Sequence, residues 1–134
     1  MRISAIVVSH GHATEVASLL PVLRPQVDEL VAVANLPGSV AEVPADVRVL
    51  QNPRPLSFAG NINQGISETS GDFVLVANPD AIPEAGAVAT LAAFMAQSPR
   101  CGIAGPQLLW PDGTWQPSRR RFPTVTGTDR KSVV

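Results

Sequence analysis

The sequence predicts an α/β fold, a mostly parallel sheet with helices on both faces, and three observations predict it. Short runs at residues 3–8, 30–34 and 73–77 are almost wholly apolar and rich in β-branched residues, as strands buried on both faces are. Segments between them repeat apolar residues at helical spacing, as Val16, Leu19, Leu20 and Leu23 do. The 134 residues are 45% apolar and 16% charged, enough to bury one core and too apolar for a disordered chain. Strands that alternate with helices need crossovers, and crossovers give parallel pairing.

The elements follow in order. Residues 3–8 form the first strand, and Ser9, His10, Gly11 and His12 the loop after it. Pro21, which has no N–H to give, is expected to kink or restart the first helix. Residues 30–34 form the second strand; a loop rich in Pro, Gly and Ser at 35–44 leads to a short third strand at 47–50. Ser57 is placed to cap a second helix that carries Phe58, Ile62 and Ile66 on one face and ends at Gly71. The fourth strand, 73–77, is broken by Asn78-Pro79-Asp80. Pro83 and Glu84 open a third helix that buries Val88, Leu91, Ala92 and Met95. A fifth strand is expected at 102–104, and Asp112-Gly113 reads as the turn of a hairpin between Leu108-Leu109 and Trp115. Ligands of such sheets bind beyond the carboxyl ends of the strands, which puts Ser9, Asn35, Asn52 and Asn78-Pro79-Asp80 on one rim.

Composition excludes several classes of partner. A net charge of −1 gives no field to draw nucleic acid or an anionic membrane, and 4% aromatics without tyrosine offer few stacking platforms. The single cysteine, Cys101, rules out an internal disulfide and is expected to be a buried, inert thiol. There is no signal-peptide pattern and no apolar run near the roughly 18 residues of a membrane span, so a cytoplasmic location is expected.

Asp80 carries the most chemistry. A carboxylate just past a buried strand can hold magnesium or manganese against a diphosphate, because hard cations take oxygen ligands. The competing role is a turn residue capping the next helix. In Phe58-Ala59-Gly60-Asn61-Ile62-Asn63-Gln64-Gly65, small residues at a helix start let a ligand approach the backbone, although helix–sheet packing would also select them. His10 and His12 lack a third ligand nearby, and Arg119-Arg120-Arg121 reads as a solvated loop.

In order, Ala5-Ile6-Val7-Val8-Ser9, Gln51-Asn52-Pro53, the Phe58 to Gly65 segment and Gly71-Asp72-Phe73-Val74-Leu75-Val76-Ala77-Asn78-Pro79-Asp80 resemble glycosyltransferase family 2, particularly its rhamnosyltransferase-like members. Gly105-Pro106-Gln107-Leu108-Leu109, Pro111-Asp112-Gly113 and Gln116-Pro117-Ser118-Arg119-Arg120-Arg121-Phe122-Pro123 extend the likeness, which covers residues 3–125. It implies a type-A fold, Rossmann-like, that binds a nucleotide-diphosphate sugar and passes the sugar to a glycan or lipid-linked acceptor, with inversion. By the same resemblance Asp80 is the last residue of the Asp-x-Asp metal motif and Asn78 its first. Ser9, Asn35, Asn52, Asn63 and Asn78 fall at donor-binding positions, and Asp72 is a structural residue at a strand start. A magnesium or manganese ion is the implied cofactor. The catalytic base is expected beyond this stretch, so residues 1–125 look like a truncated, inactive donor-binding part whose parent sits at the inner face of the membrane. Ala34 and Leu36-Pro37-Gly38-Ser39 replace the family's Asp-Asn and Ser-x-Asp-Gly patterns, and loss of the acid removes an acceptor for a base N–H. A non-catalytic nucleotide- or sugar-binding module is the alternative that Ala34 favours. A nucleotidyltransferase would need a basic Gly-rich loop after the first strand, and a receiver-like domain an acidic cluster there; Ser9-His10-Gly11-His12 is neither.

Residues 126–134 have neither period nor cap. Asp129-Arg130-Lys131-Ser132-Val133-Val134 is what GAT-CGG-AAG-AGC-GTC-GTG encodes, a sequencing-adapter string, so this tail is expected to be non-native or disordered.

Overall fold

The computed structural model describes residues 1–41 and 43–118. Four strands form a parallel sheet in the order β3-β2-β1-β4, with β1 Ile3–Ser9, β2 Glu29–Ala34, β3 Arg48–Gln51 and β4 Phe73–Ala77. Three helices connect or follow them: α1 Ala13–Leu23, α2 Phe58–Ser67 and α3 Ala87–Gln97. A two-stranded antiparallel hairpin, β5 Leu108–Leu109 with β6 Trp115–Gln116, lies apart from the sheet. The Asp112 carboxylate shapes its turn by accepting hydrogen bonds from the Thr114 N–H and hydroxyl, which hold it below the ordinary carboxylate range.

Strand alternation sorts the core onto two faces. Ile3, Ala5 and Val7 of β1 join Leu30, Ala32 and the α1 stripe Val16, Leu19, Leu20 and Leu23, with Val88 and Ala92 of α3 in the same cluster. On the other face Ile6, Val31 and Val33 are buried, with Ile62 of α2 packed against them. Ser57 caps α2 by accepting from the Gly60 N–H at 3.1 Å. Gly65 lets α2 lie on β1, since a Cβ there would stand 2.7 Å from Ile6 Cγ2.

Five local expectations are corrected. No strand forms at 102–104; those residues run irregularly after Pro99, and Ile103 is 92% exposed, so nothing there pays for ordering a strand. The face that α2 buries carries Asn61 and Gly65, while Phe58 and Ile66 are exposed, because the small residues permit the closer approach. That helix ends at Ser67 rather than at Gly71. Strand β4 is not buried on both faces: it is the sheet edge, and Val74 and Val76 on the α2 side are 40% and 43% exposed. The third helix starts at Ala87 after Gly86 in a left-handed turn, beyond the Pro83-Glu84 expected to open it. Pro21 lies in the last turn of α1, and a 3-10 turn at Arg24–Gln26 takes over after it, as a proline break requires. Cys101 is half-buried, its thiol 3.3 Å from the Ile103 carbonyl. The Arg119-Arg120-Arg121 segment and the 126–134 tail lie outside the described residues.

Candidate functional site

Parallel strands deliver four chain ends to one edge, and the four ends differ in chemistry. After β1, Ser9 is fully buried; its hydroxyl donates to the Ser39 carbonyl and accepts from the His12 N–H at 3.2 Å. The Ser39 hydroxyl oxygen in turn accepts from the N–H groups of Gly11, at 2.9 Å, and Leu36, at 3.2 Å. The β1–α1 loop is thus tied to the loop after β2. Gly11 has φ +86°, a left-handed backbone that glycine adopts without cost.

After β2 and β3, asparagines build a buried amide network. Asn35 and Asn52 are each 4% exposed, and Asn61 of α2 is 1% exposed. Asn52 Nδ2 donates to Asn35 Oδ1 at 3.0 Å and to Asn61 Oδ1 at 2.7 Å. Asn35 Oδ1 also accepts from the Leu56 N–H at 2.8 Å, while its Nδ2 donates to the Leu56 carbonyl at 3.0 Å and lies 3.0 Å from His10 Nδ1. Asn61 Nδ2 donates to the carbonyls of Leu56 and Ser57, at 3.3 and 3.0 Å. Backbone bonds from Asn35 N–H to the Ser9 carbonyl and from Asn52 N–H to the Ala34 carbonyl continue the ladder to the edge. Asn52 Oδ1 is buried without a partner among the described residues, and the remaining bonds of the three amides tie the strand ends to the start of α2.

After β4 the edge turns anionic. Asn78 and Asp80 are exposed in a turn closed by the Ala81 N–H on the Asn78 carbonyl at 3.1 Å. The Asp80 carboxylate takes no hydrogen bond or ion pair among the described residues, and the N-cap of α3 is Gly86, so capping does not occupy it. No cluster of three or more metal-ligating side chains stands among the described residues, which leaves Asp80 as a single carboxylate.

Three other carboxylates serve the opposite end of the sheet. Asp28 accepts from the Ile3 N–H and Asp72 from the Arg2 N–H, both at 2.7 Å. Glu29 accepts from the Ser4 hydroxyl at 2.6 Å and from the Ser70 N–H at 2.9 Å, and those donors, Ser4 first, hold its carboxyl below the ordinary glutamate range. Asp72 therefore has the structural place expected of it.

Of the residues singled out from sequence, Ser9, Asn35 and Asn52 stand just behind the edge, bonded to one another's loops, and Asn78 and Asp80 stand on it. Asn63 points away from the network, on the exposed side of α2. Asn61 and Ser39 were missed. The signal was there: a polar residue one helical turn before Gly65 must share its buried face. A cavity of about 560 Å³ between the start of α3 and residues 104–107, lined by Thr90, Leu91, Phe94 and Pro106 among others, includes none of these groups.

The fold defines the class, an α/β domain with a parallel sheet, of the kind in which ligands bind beyond the carboxyl ends of the strands. Residues 33–132 match the family described as Glycosyl transferase family 2. The chain belongs to glycosyltransferase family 2, with its α/β type-A fold. It is 32% identical over 91 residues to an N-acetylglucosaminyl-diphospho-decaprenol L-rhamnosyltransferase of Mycobacterium tuberculosis strain CDC 1551 / Oshkosh, and equally to that of strain ATCC 25618 / H37Rv. Each match covers 60% of this chain and 30% of the relative, so the chain spans under a third of the curated relatives it matches. No helix among the described residues is long and apolar enough to cross a membrane.

Proposed function

We propose that this chain is the donor-binding part of a transferase that moves a sugar, a deoxyhexose such as rhamnose, from a nucleotide diphosphate to a glycan or lipid-linked acceptor. The observation that carries the reading is the unencumbered Asp80 carboxylate at the end of β4. The relatives' name, N-acetylglucosaminyl-diphospho-decaprenol L-rhamnosyltransferase, supports the sugar and acceptor class. Such an acceptor would place the whole protein at the cytoplasmic face of a membrane.

The edge fits a divalent cation of the hard kind, which is held by one or two carboxylates with the remaining ligands from substrate phosphates and water. Asp80 would hold it, and a bound magnesium or manganese ion would supply charge neutralisation to the departing diphosphate. The chain's own residues do the rest of the donor's work. Exposed Asn78 and Asn63 offer amide groups to sugar or phosphate oxygens. Ser9, Asn35 and Asn52 keep the strand ends in place, and so pre-organise the edge before the donor arrives. Inversion requires a base at the acceptor hydroxyl, in line with the anomeric carbon. No described residue is assigned as that base, and the part proposed for this chain is donor binding.

Calorimetric titration with nucleotide-diphosphate sugars, with and without manganese, tests the reading on wild type and Asp80→Ala. Manganese-dependent binding that Asp80→Ala loses is expected; equal binding by both proteins rejects the metal role. Ala34 favours a second reading, a non-catalytic binding module that has lost base recognition. A full-length relative of this sequence that bound donor but transferred no sugar would favour it.

A further inference from the structure

We propose that Asn35 holds His10 as the Nε2–H tautomer, so that the exposed ring offers one fixed N–H donor to an oxygen of the donor nucleotide. The Leu56 backbone orients the Asn35 amide. Its N–H can only donate and its carbonyl can only accept, and Asn35 meets both, at 2.8 and 3.0 Å. That pair settles which end of the Asn35 amide is oxygen and which is nitrogen, an assignment that otherwise rests on choice. The nitrogen end also faces His10 Nδ1 at 3.0 Å, and an NH2 group can only donate. His10 Nδ1 must then be the acceptor, and a neutral imidazole that accepts at Nδ1 carries its proton on Nε2.

The backbone beneath the ring is equally constrained. Ser9 before it is fully buried and bonded to Ser39 and His12, Gly11 after it is bonded to Ser39, and the His10 N–H itself lies 3.4 Å from His12 Nδ1. His10 is exposed, and no described residue takes up its Nε2. Across an imidazole Nε2 faces away from Nδ1, so its proton points away from the Asn35 amide. A neutral N–H suits an oxygen acceptor, either a phosphate oxygen or a carbonyl of the base. Asn35 is a positioning residue here, acting through His10. The ligand's identity rests on the proposed function; the tautomer does not.

The test has two arms on the 134-residue chain. Long-range proton–nitrogen correlation of the labelled histidines at about pH 8, where imidazole is neutral, should show His10 with a bare Nδ1 and a protonated Nε2. Asn35→Ala should move that signal toward a tautomer average. An averaged or Nδ1-protonated His10 in the wild type overturns the proposal without reference to any ligand. In the second arm, nucleoside diphosphates and the corresponding nucleosides are titrated into wild type, His10→Ala and His10→Gln, the last placing an amide N–H where Nε2 stood. His10→Ala should lose about tenfold in affinity, the size of one hydrogen bond, and His10→Gln should recover most of it. A loss shared by the nucleosides places the contact on the base; a loss confined to the diphosphates places it on phosphate. Equal affinity in wild type and His10→Ala overturns the ligand role. Wild type that binds neither class overturns the sugar-transfer reading and the ligand role with it, and the tautomer measurement distinguishes that failure from the first.

Discussion

Gly65→Ala tests whether α2 is seated on the sheet as tightly as the structure has it. Gly65 lies inside the helix, where alanine is favoured over glycine by about 1 kcal/mol. On helix propensity alone the substitution stabilises. The added methyl, however, would stand 2.7, 2.9 and 3.1 Å from Cγ2, Cδ1 and Cγ1 of Ile6, where carbon atoms pack at about 3.5–4.0 Å. Ile6 is fully buried in the central strand β1 and its β-branched side chain has few alternatives, so the helix has to lift. Overpacking of this kind costs about 1–3 kcal/mol, and three short contacts put it at the upper end. The net expectation is a loss of about 1–2 kcal/mol. In urea unfolding that lowers the midpoint by about 1 M at a slope of about 1.5 kcal/mol/M, with the slope unchanged. Ile6→Ala removes all three colliding carbons, so the double mutant should be more stable than the sum of the singles by about 1–2 kcal/mol. A Gly65→Ala midpoint at or above wild type would refute the reasoning, since propensity would then have won and the contact would be loose.

Two further outcomes follow from hydrogen-bonded polar groups. Asn61→Ala should cost about 1–3 kcal/mol in thermal or urea unfolding, because Asn52 Nδ2 loses an acceptor in a closed interior; Asn63→Ala, on the exposed side, should stay within about 0.5 kcal/mol. Glu29 should make stability fall with acid. Its folded carboxyl protonates below the ordinary value of 4.5 while the unfolded chain protonates at it, so the gain is present above 4.5 and lost as pH drops through the lower folded value. Glu29→Gln should flatten that part of a stability-versus-pH curve, and an unchanged acid limb would show that the Ser4 and Ser70 bonds do not favour the charged form.

The sheet was legible because buried parallel strands announce themselves as apolar runs. β1, β2 and β4 stand within a residue or two of where pattern alone put them, and the Ser57 cap is a local rule obeyed locally. Helix faces were harder. Hydrophobicity pointed to Phe58 and Ile66, whereas the close approach allowed by Gly65 turned α2 to bury Asn61 instead. The segment 102–104 has strand composition, but no neighbouring strand takes it into the sheet, and pairing is not a property a single run can encode. The carboxyl-edge rule put Ser9, Asn35, Asn52, Asn78 and Asp80 at the ends of the strands, where they stand. What it could not give was depth: whether a side chain on the edge faces ligand or faces its neighbours depends on hydrogen bonds between residues 9 to 30 positions apart in sequence.

That depth has a chemical logic. The groups that hold the edge, Ser9, Ser39, Asn35, Asn52 and Asn61, are all neutral, although carboxylates do comparable holding work at the other end of the sheet. An amide gives both a donor and an acceptor, so Asn35 and Asn61 reach backbone groups and Asn52 joins them without burying charge. A carboxylate at Asn35 would bring a buried negative charge against the Leu56 carbonyl, and would add repulsion where a diphosphate is to bind. Neutral scaffolding leaves the charge at the end of β4 to the exposed Asp80 carboxylate. On this argument Asn35→Asp should weaken nucleoside diphosphate binding more at low salt than at high salt, while Asn35→Ala should weaken it by the same factor at both. Titration of the two variants at two ionic strengths decides it, and identical salt dependence would mean that charge at this position is not what the amides avoid.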